Sequence, residues 1–317
     1  MRFGVGDFSG QRPPGSPVTH ARLYAELLDQ AAFIEDVGLD SMWVSEHHFA
    51  EDGYMPAVMP IAAALLARTS RIVIATDRLA ASLHHPLRLA EDAIALDLLS
   101  GGRFVLGVSL CYRDEEFRGF GVDRTTDTQR LEALVPTLRA AFAGGSAVTP
   151  RPFSPGGPKI MIAADGEEGP ERAARLADIL MVDPTEPWAV VNDAVARFDH
   201  ARNDDRGELV LFTYGGLSAG GQAEAWGSIA DGFHYMRHNY DRWMGREPTR
   251  RLPPGNYRLL LGTAEEVAEQ AGEYRRRYGE RAHLVLRCNY PGMSHAAVQE
   301  QLRLWGLAAG RVRTFTN

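Results

Sequence analysis

Eight short β-rich apolar runs alternate with amphipathic helical stretches along a chain of 317 residues, which predicts an α/β fold, a (β/α)8 TIM-type barrel. Two further observations agree. No G-x-G-x-x-G follows the first run, where the loop reads "GDFSGQRPPG", so a doubly wound nucleotide-binding sheet is the weaker match. Four of the expected C-terminal strand ends carry polar or otherwise unusual residues, "SEHHF", "TDR", "SLCY" and "ADGEEG". In a barrel those ends share one mouth, which is where catalytic side chains gather.

Residues 3–6 read as the first strand, and "HARLYAELLDQAAFIEDVG" as a helix with Leu, Ala and Phe at helical spacing and a stop at Gly38. "SMWVS" is the second strand, followed by the helix "PAVMPIAAALLART", which Pro56 can start and whose first turn must accommodate Pro60. "RIVIAT" is the third strand, and "PLRLAEDAIALDLLSGG" a helix with Pro86 at its start and Gly101-Gly102 at its end. "RFVLGVS" is the fourth, and "TQRLEALVPTLRAAFAGG" a helix that Pro136 should kink or split. "KIMIA" and "ILMV" are strands five and six, with "GPERAARLA" between them and "PWAVVNDAVARFDHAR" after. "ELVLFTYGG" and "RAHLVLRC" are strands seven and eight. Between these two lies an aromatic-rich insertion, about 216–258, and then "TAEEVAEQAGEYRRRYG" with a Thr263…Glu266 capping box. "SHAAVQEQLRLWG" reads as the last helix, and residues 1–317 as one barrel domain.

Bulk properties narrow the function classes. A hydrophobic fraction of 45% and a charged fraction of 24% are ordinary for a soluble globular chain. A net charge of −7 argues against a nucleic-acid footprint or anionic-membrane binding. The opening "MRFGVGDFSG" is too short an apolar run for a signal peptide, and no stretch approaches the roughly 20 apolar residues of a membrane span. Two cysteines, Cys111 and Cys288, make no disulfide framework, so the expected setting is the reducing cytoplasm. The paired imidazoles of "SEHHF" raise three readings: metal ligands, an acid–base group, or hydrogen-bonded filler. No second His/Cys/Asp cluster stands at the usual spacing, so no metal is expected.

The stretches "MRFGV", "GLDSMWVSEHHFAEDGY", "HHPLRLAEDAIALDLLSGGRFVLGV" and "EEFRGFGVD" resemble the bacterial-luciferase-like, flavin-dependent oxidoreductases, with weaker support from "PGGPKIMIA" and "YPGMS". The resemblance runs along nearly the whole chain and is weakest between Gly216 and Arg258. It implies a barrel that binds reduced FMN, or a deazaflavin coenzyme, at the C-terminal strand ends. It also implies dioxygen and a small organic substrate as reactants, a separate flavin reductase as partner, and a homodimer.

Carried onto this chain residue by residue, the resemblance makes His47 the catalytic or substrate-positioning histidine. A neutral imidazole there can take a proton, with Glu46 fixing its tautomer while His48 turns into packing. Thr76, Asp77 and Arg78 stand where the family turns its third strand beneath the flavin, in some members through a non-proline cis peptide. Arg78 either contacts flavin or substrate, or pairs with Asp77 or Glu46. Ser109, Tyr112, Asp165, Gly166 and Gly169 are the further cofactor-binding candidates, with Gly166 and Gly169 offering backbone donors at a helix start. Cys111, Trp226 and Tyr235 are assigned to the substrate; Cys111 lacks an evident activating base and is expected to pack, and the insertion aromatics either roof the pocket or fill a core.

Two departures bear on the phosphate. Leu110 stands where family flavin binders often place an arginine. Asp165, Glu167 and Glu168 would surround a phosphate with carboxylates, each pair of unit charges costing about 3 kcal/mol at about 6 Å and an effective dielectric near 20; alternatively these acids face water in a helix first turn. Three readings follow: a flavin-dependent monooxygenase or oxidoreductase, a non-catalytic luciferase-like partner subunit, and a barrel that has lost the usual flavin site. Glu46-His47 favours the first, because the partner chain resembles "ENHF" there, while "GVSLC" resembles the second.

Overall fold

The computed structural model describes residues 1–183, 186–203, 207–248 and 251–314, so positions 249–250 of the insertion and 315–317 of the expected domain lie outside it. In order the elements are β1 (Arg2–Phe8), α1 (His20–Asp36), β2 (Ser41–Val44), α2 (Val58–Arg68), β3 (Val73–Thr76), β4 (Leu79–Ala80), α3 (Pro86–Ser100) and β5 (Phe104–Ser109). Then come α4 (Asp114–Phe120), α5 (Asp127–Ala143), β6 (Lys159–Ala163), α6 (Gly169–Leu176), β7 (Ile179–Val182) and α7 (Trp188–Arg202). The chain ends with β8 (Glu208–Leu217), α8 (Gln222–Trp243), β9 (Leu259–Gly262), α9 (Ala264–Tyr278), β10 (Ala282–Arg287) and α10 (His295–Thr314).

Strands β1, β2, β3, β5, β6, β7, β8 and β10 pair in parallel in that order, and β10 returns to β1, so the ring is a closed (β/α)8 barrel. Two short strands lie off it. β4 pairs with the upper end of β5, and β9 pairs with Tyr214–Leu217 of the ten-residue β8, whose lower part belongs to the ring. The sequence reading missed both, since "LA" and "LLLG" are too short to carry periodicity.

The period of two divides the strands between two apolar layers. Met42, Val44, Ile160, Ile162, Leu209, Leu211, Leu284 and Leu286 pack outward under the helices. Trp43, Met161, Ala163, Val210, Phe212 and Val285 fill the barrel interior. In β1 the outer residues are Phe3 and Val5, and the inner places belong to glycines. A Cβ on Gly4 would lie 2.1 Å from Ser41 Oγ, and one on Gly6 2.7 Å from Phe212. The interior is so full that β1 must present hydrogen atoms to it.

Three helix expectations meet the structure differently. Pro60 does sit within the first turn of α2, which begins at Val58. Pro136 does not split its helix: α5 is one element, because Leu131, Leu134 and Val135 before it and Leu138, Ala141 and Phe142 after it bury one continuous face. Gly306 does not stop the last helix. α10 runs on to Thr314, and the glycine admits the carbonyl of Val37, to which a Cβ would lie at 2.6 Å. The capping box at Thr263 and Glu266 is present on both sides. Among the described residues no helix is long and apolar enough to cross a membrane, and no group of three or more His, Cys, Asp or Glu side chains could hold a metal ion.

Candidate active site

The C-terminal ends of the barrel strands open into one cavity of about 550 Å3. Asp7 reaches it from β1, His47 from the loop after β2, Asp77 and Arg78 from beyond β3, and Ser109 to Tyr112 from β5 and its loop. Asp165 and Gly166 follow β6, Asp183 follows β7, and Phe212 and Tyr214 line it from β8. Arg237, Tyr240 and Met244 close the top from one face of α8 and the turn after it, and Arg246 lies beside them.

His47 stands on the wall of this cavity with its side chain 12% exposed. Its Nδ1 is 2.9 Å from Glu116 Oε1 and its Nε2 is 2.7 Å from the Tyr112 hydroxyl. Tyr54 and Trp243 pack on the ring with centroids at 4.7 and 5.0 Å. The partner of His47 is therefore Glu116 and not Glu46, which corrects the sequence reading. Glu46 also reaches the cavity, but its carboxylate accepts from the backbone N–H of Ala80 at 2.8 Å and pairs with His84 at 3.1 Å. His48 Nε2 lies 3.5 Å from it, and the His48 ring packs against Phe49 and Phe120. Burial alone would raise the Glu46 carboxyl; the two histidines beside it win and hold it at about 2.

The floor is a buried polar network. Asp7 Oδ2 accepts from Arg287 at 2.6 Å, from Tyr240 at 3.1 Å and from Tyr54 at 3.2 Å. Asp77 lies near it, and burial together with the charge of Asp7 pushes its carboxyl up to about 8, over the opposing pull of Arg78 and Arg287. The rise favours the protonated carboxyl, the form that can donate a hydrogen bond. The peptide bonds Gly6–Asp7 and Asp77–Arg78 are cis.

Arg78 pairs with neither Asp77 nor Glu46; its Nη1 reaches both oxygens of Asp165, at 3.0 and 2.8 Å. That pair neutralises the one carboxylate of the loop after β6 that faces the cavity. Glu167 and Glu168 point to solvent and do not line it. Leu110 does line it, as does Cys111, whose thiol donates to Glu116 Oε2 at 3.1 Å and is pushed up by burial and that carboxylate.

Four site expectations are corrected. Thr76 is fully buried and staples β3 to β5, its hydroxyl donating to the carbonyl of Gly107 at 2.9 Å and accepting from the Gly107 N–H at 2.7 Å. Gly169 packs α6 against Ala164, whose carbonyl carbon would lie 2.4 Å from a Cβ. Trp226 packs on Phe233, His234 and Tyr257, away from the cavity. Tyr235 donates to Asp52 at 2.9 Å. The insertion does roof the site, but through Arg237, Tyr240 and Met244, while Trp243 packs on the His47 ring. Asp7, Tyr54, Glu116 and Arg237 escaped the sequence reading, and Tyr240 entered it only as one of the insertion aromatics; a polar residue closing an apolar strand marks Asp7 alone, and the others meet the site only in space.

Residues 1–281 match the luciferase-like monooxygenase family. The alkanal monooxygenase beta chain of Vibrio harveyi is 30% identical over 164 residues, covering 48% of this chain and 51% of that one. The chain thus spans about half the length of the curated relatives it matches. Among solved structures, the monooxygenase RslO1 from Streptomyces bottropensis superposes with a TM-score of 0.84 at 22% identity, covering 99% of this chain and 100% of that one. The oxygenating constituent of 3,6-diketocamphane monooxygenase from Pseudomonas putida, in complex with FMN, gives 0.74 at 16% identity over 98% of each chain. A closed barrel with its polar strand ends at one mouth, and a family match over most of its length, place this chain in the luciferase-like monooxygenase family.

Proposed function

We propose that this chain is a flavin-dependent monooxygenase or closely related oxidoreductase, acting in the cytoplasm on a small organic substrate with reduced FMN and dioxygen. We further propose that it is a homodimer of single-domain barrels supplied by a separate flavin reductase. One observation carries the reading: polar side chains from successive strand ends meet in a single cavity with His47 on its wall. Its volume of about 550 Å3 falls within the range of cofactor sites, roughly 300–1,000 Å3. Arg237, whose Nε is buried without a hydrogen-bond partner while its Nη2 lies 3.6 Å from Asp241 Oδ1, lines it together with Arg246, so a ligand phosphate would meet two cations even though Leu110 supplies none.

Bound reduced flavin would supply the electron pair that reduces dioxygen. The chain's residues do the rest. Tyr240 and Met244 keep water from the reacting centre, and Trp243 backs the His47 ring. Asp77, Ser109 and Gly166 offer polar contacts along the cavity, and Arg237 and Arg246 hold the phosphate. Cys111 lends one apolar edge to the substrate. His47 manages the proton.

Titration of the purified protein with reduced FMN and with a reduced deazaflavin tests this. Reduced FMN is expected to bind at micromolar affinity or tighter, with oxygen-dependent turnover lost in His47→Ala. Arg237→Ala is expected to weaken FMN about tenfold while leaving riboflavin unchanged, the loss of one charge-assisted contact. Preference for the deazaflavin would reassign the coenzyme. The likeness to a beta chain supports the competing reading, a partner subunit, which tight binding without turnover would favour. Failure to bind either coenzyme would leave a barrel whose cofactor site has been lost.

A further inference from the structure

We propose that Tyr112 is the catalytic residue of this cavity, its phenol taking a proton from the bound ligand while passing its own to His47, which Glu116 orients. The ligand is the one assigned above, so the proposal rests on that reading; the relay itself is a property of the chain.

His47 has no ring nitrogen left for a ligand. Nδ1 faces Glu116 at 2.9 Å and Nε2 faces Tyr112 at 2.7 Å. Glu116 is a carboxylate whose burial would raise it, but His47, the His48 N–H and the Cys111 thiol hold it below the usual range. An ionised carboxylate only accepts, so Nδ1 carries the hydrogen. In the neutral ring Nε2 must then accept, and Tyr112 donates. The phenol oxygen keeps lone pairs for a ligand, and Tyr112 lines the cavity.

Glu116 is the fixed end of the line. It is 1% exposed, takes the His48 N–H at 2.8 Å and the Cys111 thiol at 3.1 Å, and has Arg113 Nη1 at 3.4 Å. Facing the imidazole from other elements are Tyr54 after β2, Tyr240 on α8, and Trp243, whose ring carries the Arg113 guanidinium at 4.4 Å. Burial, Tyr240 and Glu116 push the Tyr112 phenol up against the pull of Arg78 and Arg113, so it rests protonated.

The step balances with one proton and no electrons. A ligand N–H, O–H or acidic C–H bond breaks and an O–H bond forms on Tyr112. The original phenol O–H bond breaks and an N–H bond forms at Nε2. The ligand is left with the electron pair, and the imidazolium is countered by Glu116. A hydroxyl, an imidazole and a carboxylate in series do here what such chains do in nucleophile activation, with the oxygen serving as base.

Nitrogen-15 NMR of histidine in the coenzyme-free protein reads the relay directly. Neutral His47 is expected as the Nδ1–H tautomer. Its protonation midpoint should rise by about one pH unit in Tyr112→Phe, which frees Nε2, and fall by about as much in Glu116→Gln, which removes the carboxylate. An Nε2–H tautomer, or a midpoint unmoved in both variants, overturns the relay. A second arm uses reduced FMN as the probe and follows oxidation of the bound coenzyme by dioxygen. With the coenzyme saturating, Tyr112→Phe should slow it at least tenfold, and adding His47→Gln should change it less than twofold further. Wild-type rates in Tyr112→Phe, with His47→Gln alone inactive, would overturn the assignment to the phenol. Should reduced FMN bind none of these proteins, the coenzyme reading falls while the NMR result still decides the relay.

Discussion

Glu46 and Glu116 stand on opposite sides of the histidine pair and hold it by different means. Glu46 is next to His47 in sequence yet serves His48 and His84, because consecutive residues at a strand end point to opposite sides. Its folded-state carboxyl lies near 2, below the ordinary value of 4.5, so its stabilisation is present above pH 4.5 and is lost as the pH falls toward 2. Glu46→Gln is therefore expected to cost about 2–4 kcal/mol at pH 7, with the gap to wild type closing near pH 2. Denaturant unfolding at the two pH values checks it, and equal stabilities at pH 7 would refute it. Asp77 has the opposite sign. Its carboxyl is raised to about 8 in the fold, so the native state keeps a proton that the unfolded chain has released above about pH 4. Stability should fall as the pH climbs from 4 to 8, and Asp77→Asn should abolish that slope, leaving the variant more stable than wild type by a few kcal/mol at pH 8. A thermal-denaturation profile against pH measures it; parallel profiles for the two proteins would sink the account. None of this was legible from residue types alone, since a carboxyl's pKa follows its neighbours in space.

At the scale of elements, helical and strand periods carried most of the reading, and each miss has a local cause. Pro136 removes one backbone hydrogen bond on the exposed side of α5, while the buried face continues past it. Pro136→Ala should restore that bond and raise stability by about 1–2 kcal/mol, after allowance for the greater freedom it gives the unfolded chain. Gly306 marks a close approach between helices, and Gly306→Ala should cost about 1–3 kcal/mol because its Cβ meets a backbone carbonyl that has little room to move. Denaturant midpoints of the two variants, one moving up and one down, separate these effects from a general loss of helix propensity. In α8 the sequence showed abundant aromatics but not how much of one face the cavity would reach. Trp226, Phe233, Arg237, Tyr240 and Met244 share a face by their spacing; the last three line the cavity, whereas Trp226 and Phe233, nearer the start of the helix, pack on each other and on Tyr257.

At the scale of the molecule, closure of the ring brings the strand ends together and gives them one mouth. It also sets what the phosphate of the proposed coenzyme would meet. Leu110 faces the cavity, so Leu110→Arg adds a cation to that wall, and FMN should then bind about tenfold tighter while riboflavin is unaffected. Calorimetric titration with both ligands decides it; no gain for FMN would mean that position 110 lies beyond reach of a phosphate held by Arg237 and Arg246. The chain by itself determined the barrel, its eight ring strands, and the arrival of His47, Asp77, Arg78, Tyr112 and Asp165 at a common end, because periodicity and strand order are local properties. Only the tertiary structure decided who partners whom: Glu116 with His47 across 69 residues, Asp165 with Arg78 across 87, and Arg287 with Asp7 across 280. Those pairings depend on barrel stagger and side-chain direction, which put groups within 3 Å or so of each other without leaving any spacing in the sequence to mark them.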